Sequence, residues 1–254
     1  MLGKGLCISI VGVAAVVFLA ANSLGQIEDE WPDVIFSEDF EGDEFQGWTV
    51  EGDMEIQEDH AHQGSAAEFG PVTDTQAAAI RRHDVMSDAN QFYVVFWVMQ
   101  TEPEDNSFTL YFATGGEARP DPDCLNFKIL QGMLSPVAEG WGDPNAVMGV
   151  GIDLPIQANK WHQIGAAFDY TKGLYSLYFD DLNTPVQEDI PFRSRADRTW
   201  LQNEEMYFVV WNDEPHQGLA YLDDVVFGVG SMPFFAVSPQ EKFPVTWGKL
   251  KSCH

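Results

Sequence analysis

Carboxylates are the commonest chemistry-bearing groups in this chain: 40 Asp and Glu stand against 13 Lys and Arg, for a formal charge of −27. Two groups of them are spaced to act together. Asp39 and Glu41 flank Phe40 in a β-forming run, and alternate residues of a strand share a face. Asp223 and Asp224, in LAYLDDVVFG, point to opposite faces, so one of them meets the first pair if the two strands are neighbours. Hard oxygen donors of this kind suit Ca²⁺, which takes about six to eight oxygens at ~2.4 Å and can fill its shell with carbonyls and water. Asp39, Glu41, Asp223 and Asp224 are therefore the expected ligands of a structural calcium that would also relieve carboxylate repulsion. The competing expectation is a set of exposed acidic strand ends in a chain that is acidic throughout.

Tryptophan supplies the second candidate chemistry. A pyranose ring stacks its C–H face on an exposed aromatic while carboxylates and amides take its hydroxyls. Trp141, between glycines in EGWGDPN, and Trp200, in RTWLQ, read as loop residues and are the expected carbohydrate-binding pair. Trp211 lies in a continuous apolar run and is expected in the core. His60 and His62 could share one side of a strand and hold a metal. Transition-metal sites want three or four such ligands and no other histidine cluster is at hand, so their expected role is structural.

No residue is assigned as catalytic. A glycosidase needs two carboxylates about 5–9 Å apart across the scissile bond, and Glu102 and Glu104 have the right parity but sit with Pro103 in the turn-like EPEDN. Nucleophile elbows, Cys–His pairings and phosphate-cradling glycine loops are missing from the sequence.

The elements that must position these residues are strands. Alternating or continuous β-formers recur at 33–41, 48–56, 75–82, 91–100, 107–114, 125–131, 146–152, 206–213 and 219–228, punctuated by Gly, Pro and Asp clusters. Between them, KWHQIGAAFDYTKGLYSLYFDD reads as a hairpin reversing at Thr171-Lys172-Gly173. Helical periodicity is nearly absent. The expected fold is an all-β antiparallel sandwich over residues 33–230, with its first and last strands adjacent.

The flanks differ. Lys4, the apolar run 8–21 and the small residues before Gln26 have the anatomy of a secretory signal over 1–25. An uncleaved anchor is the alternative, since the run is a little short of the ~20 residues that span a bilayer. Residues 26–32 form an acidic leader, and 231–254 a tail carrying Lys242, Lys249 and Lys251. Export would permit a bridge between Cys124 and Cys253, though two cysteines make no framework. A chain this acidic is a poor partner for nucleic acid or anionic membrane.

Four segments in order carry a resemblance: DVIFSEDFEGDEFQGWTV, EDHAHQGSAAEF, the KWH…YFDD hairpin and AYLDDVVFG. Together they resemble the laminin-G-like, concanavalin A-like jelly-roll (LamG-like) family. Asp181 departs from it, standing where the family usually has glycine, so the turn there is expected to differ. The resemblance implies a jelly roll, raises the prior for a calcium near the first and last strands, and spans sugar-binding modules, adhesive domains and glycan-cleaving enzymes. The expected protein is a secreted, non-catalytic module for extracellular carbohydrate. A hydrolase or lyase on the same sandwich and a structural protein-interaction domain are the alternatives.

Overall fold

The computed structural model describes residues 33–42, 44–71, 78–82, 89–104, 108–114, 125–130, 132–137, 154–169, 171–191, 204–210 and 218–232. Trp141, Trp200, Trp211, Cys124, Cys253, the segment 1–25, the leader 26–32, the expected strand 146–152 and the tail beyond Met232 lie outside them.

All regular structure among the described residues is β. One sheet contains β1 (Val34–Glu38), β3 (Met54–Gln57), β4 (Ala66–Phe69), β6 (Gln91–Gln100), β11 (His162–Asp169), β12 (Leu174–Phe179), β13 (Gln187–Pro191) and β15 (Ala220–Val229). The other contains β2 (Trp48–Glu51), β5 (Ala78–Arg82), β7 (Phe108–Thr114), β8 (Leu125–Leu130), β9 (Met133–Val137), β10 (Leu154–Pro155) and β14 (Glu204–Val210). Their orders are β13-β12-β11-β6-β15-β4-β3 and β10-β9-β8-β7-β14-β5-β2, and every pairing is antiparallel.

Strand parity builds the core. Phe92, Val94, Phe96 and Val98 turn inward from β6, and meet Ile80, Phe108, Leu110, Phe208 and Val210 of the facing sheet. Aromatic edges lock the layers, with Phe96 and Phe208 5.2 Å apart at 78° and Phe69 and Phe108 5.5 Å apart at 84°. Each such buried ring contributes about 1.5–3 kcal/mol by burial. The hairpin obeys the same parity: Ile164, Ala166, Phe168, Tyr175 and Leu177 are all buried, and Gly173 takes the positive φ (69°) that its turn requires.

The first and last strands are adjacent. β15 carries two partners end to end along one edge: β4 pairs with Ala220–Leu222, and β1 with Val225–Gly228. At the junction, β15 gains one residue against β6, where Asp223 faces Trp97 but the next partner of Val95 is Val226. Asp224 takes up this bulge with φ 48°.

Several strands differ from expectation. β1 ends at Glu38, so Asp39 and Glu41 lie beyond it and share no strand face, although Phe40, at φ 53°, is buried in the core as its neighbours required. The run 48–56 divides into β2 and β3, which belong to different sheets, because the chain crosses the sandwich at Gly52 (φ 73°). The strands β4, β9, β10 and β13 are short and carried too little periodicity to be read.

Candidate functional site

The outward face of the eight-stranded sheet has two halves. Tyr93, Val95 and Val226 form an apolar patch covered by Leu182 and Met232. Gly165 makes that cover possible, since a Cβ there would stand 2.8 Å from Leu182 Cδ2 and 3.0 Å from Met232 Cε. The other half carries aromatics, imidazoles and carboxylates.

The loop between β3 and β4 builds this second half. Gln57 Oε1 accepts the His60 N–H (3.0 Å), and the chain then folds over the sheet. His60 lies against Tyr221 with centroids 5.2 Å apart. His62 lies flat on Trp97, at 4.0 Å and 17°. Trp161, at the start of β11, sets its edge against His62 (5.8 Å, 67°) and against Tyr221 (6.5 Å, 61°). His60 is exposed and Trp161 half-buried, so a π-rich ledge meets solvent through these two, with Tyr221 buried beneath them.

Carboxylates from two directions clamp the loop. Glu41 Oε1 accepts the Ser65 N–H at 2.8 Å, and its carboxylate packs onto Gly64 (φ 69°), where any Cβ would collide with it. Asp223 accepts the N–H groups of Gln63 (3.2 Å) and Asp224 (2.8 Å). Asp224 Oδ2 lies 3.1 Å from His62 Nδ1. Asp223 and Asp224 thus serve the same side, correcting the opposite-face expectation: the bulge adds a residue and Asp224's left-handed backbone turns its side chain round.

Of the expected calcium ligands, Glu41, Asp223 and Asp224 therefore converge on residues 62–65, while Asp39 Oδ1 turns back to the Glu41 N–H (3.2 Å). One ligand atom each of His62, Asp223 and Asp224 lie within 4.8 Å of one another. These carboxylates already accept N–H groups, and an imidazole is a softer donor than calcium prefers. Of the expected structural histidines, His62 enters the clamp and His60 the ledge.

A rung of side chains crosses the ledge. Met99 pairs with Tyr221, Tyr221 with Glu68, and Glu68 with Glu55. Burial raises the Glu68 carboxyl above its ordinary value; the Tyr221 hydroxyl opposes this and neighbouring Glu55 adds to it. Burial, then the charge of Glu68, raises the Tyr221 hydroxyl in turn. One rung along, Gln163, Trp97 and Asp223 stand in register, and among the described residues none pairs with the buried Gln163 Nε2 or Trp97 Nε1.

The hairpin's own acids are structural. His162 is 1% exposed; its Nε2 accepts the Gln157 N–H (3.1 Å), so Nδ1 carries the proton toward Asp180 Oδ2 at 3.0 Å. Burial opposes charge on Asp180, but His162, the Gln163 N–H and Lys160 outweigh it and hold the carboxyl below its usual value. Asp180 takes the left-handed position of the turn (φ 57°), which is why Asp181 can stand without glycine there.

Trp97, Trp161, Tyr221, Glu55 and Glu68 were missed by sequence reasoning. Their signal was parity: Trp97 and Tyr221 alternate with core residues on β6 and β15.

No protein-family model matches the sequence, and no curated protein does. Solved structures do match in fold. The Emp47p carbohydrate recognition domain aligns at TM-score 0.54 and 9% identity over 78% of this chain and 97% of its own. The T. cruzi calreticulin globular domain aligns at 0.51 and 10% over 78% and 88%. A sialidase aligns at 0.54 and 10% over 78% of this chain, which spans only 18% of that one. The fold is thus a concanavalin A-like jelly roll, as the four motifs implied.

Proposed function

We propose that this chain is a non-catalytic carbohydrate-binding module, exported by its N-terminal signal and acting outside the cytoplasm. The observation that carries the reading is the ledge of Trp161, His60 and Tyr221. Trp161 and His60, lying over the buried Tyr221, offer ring faces for sugar C–H groups next to the carboxylates of Glu55 and Glu68. The similarity to a carbohydrate recognition domain supports the reading at the level of fold. Trp141 and Trp200 remain proposed contributors.

Glu55 and Glu68 stand directly opposite one another on β3 and β4. A structural Ca²⁺ is proposed at the loop clamp, with Asp223 and Asp224, whose carboxylate oxygens come within 4.8 Å of one another, as its protein ligands. Among the described residues no helix is long and apolar enough to cross a membrane.

Titration of the purified chain with β-1,4-linked glucose, N-acetylglucosamine and glucosamine tetramers tests the main reading. At least one should bind, and Trp161→Ala should weaken it about tenfold or more, on the scale of ~1–3 kcal/mol for a buried aromatic contact. Binding that ignores Trp161 would move the site elsewhere.

A further inference from the structure

The rung that ends in Glu68 and Glu55 is hard to explain by folding alone. Like charges directly opposite on antiparallel strands repel. A lysine at either position would hold the same strands without that cost. Among the described residues, Arg81 pairs with Glu51, Arg82 with Glu38, Lys160 with Asp180 and Lys172 with Asp169, while His60 is near enough for its charge to favour the Glu68 carboxylate. Glu55 is exposed and Glu68 half-buried, so the pair faces solvent at the border of the aromatic ledge.

Opposed carboxylates beside ring faces are the two elements that hold an ammonium. The carboxylates take its N–H groups in charge-assisted hydrogen bonds, and the rings attract its charge through their quadrupoles. The buried Tyr221 joins the two elements from beneath, since it contacts the more exposed His60 and Trp161 on one side and pairs with Glu68 on the other. The carboxylate excess of the whole chain favours the approach of cations to the protein. A neutral sugar would use the rings and leave the repulsion in place.

We propose that the glycan bound on this ledge carries free amines: a glucosamine-type oligosaccharide, its ammonium against Glu55 and Glu68 and its ring along Trp161 and His60. This rests on the carbohydrate reading above.

The three β-1,4-linked tetramers differ only in the C2 substituent: an ammonium, an acetamide or a hydroxyl. They are titrated into the full chain at a pH where the amine is protonated, alongside tetralysine as a charge control. The glucosamine tetramer should bind at least about tenfold tighter than either neutral tetramer, and tighter than tetralysine. Glu55→Gln/Glu68→Gln should erase that preference. The single Glu55→Gln change, on an exposed side chain, should reduce it and serves if the double variant folds poorly. Equal affinities for the three tetramers would overturn the amine inference and leave the carbohydrate reading standing. So would a preference that survives in the variants, or tetralysine binding as tightly as the sugar. Silence from all three tetramers would sink both.

Discussion

His62 lies flat on Trp97, 4.0 Å between centroids, while its Nδ1 meets Asp224 Oδ2 at 3.1 Å. A single imidazole therefore ties the β3–β4 loop to the outward face of the sheet and to the bulge of β15. The ledge depends on that tie, because the same loop sets His60 against Tyr221.

Replacing His62 by Ala should therefore loosen the loop. The side chain of Asp224 is only 2% exposed and would lose its ring partner. A stability loss of about 1–3 kcal/mol is expected, the cost of disturbing a buried charged group's hydrogen bonding. Urea unfolding checks it, and an unchanged midpoint would mean that the loop is held by Glu41 and Asp223 alone.

The His162–Asp180 pair predicts a pH dependence. Asp180 titrates below its ordinary 3.8 in the folded chain, so its contribution is complete above that value. It is lost as the pH falls from there through the folded value. Asp180→Asn should lower the thermal midpoint near neutrality by about 1–4 °C. That corresponds to about 0.5–1 kcal/mol, discounted because the carboxylate is 37% exposed. The gap between wild type and variant should close below about pH 3.8. A gap independent of pH would assign the loss to packing.

Calcium is checked by thermal melts with the ion and with a chelator. Saturating calcium, at about a hundredfold over its dissociation constant, should add ~2.7 kcal/mol of stability, and Asp223→Asn should remove most of that gain. Superposed melts in all conditions would show that the carboxylates serve only as acceptors for the loop's N–H groups.

Parity and punctuation made the sandwich readable. Phe92 through Val98 alternate inward as a two-residue period requires, and the pairing of β1 with β15 was anticipated from their motifs. The bulge at Asp224 was not legible, since an extra residue in one strand leaves no mark on that strand's own period. Its effect was to put both aspartates on one side, where alternation had separated them. The ledge was hidden for a related reason. Tyr221, Trp97 and Glu68 belong to different strands, and only the cross-strand register brings them together with a loop from β3. Trp141 and Trp200, chosen because they sit in loops, lie outside the described residues, whereas the aromatics that form the ledge stand on or beside strands.

The most direct measurement of the central claim follows the indole N–H signals of the eight tryptophans by ¹⁵N-edited NMR, with Trp161→Phe and Trp97→Phe used for assignment. The glucosamine, N-acetylglucosamine and glucose tetramers are the titrants. The ledge predicts that the Trp161 signal moves most and Trp97 next, saturating together with the measured affinity. Saturable binding that leaves both signals in place while other indoles move would contradict it.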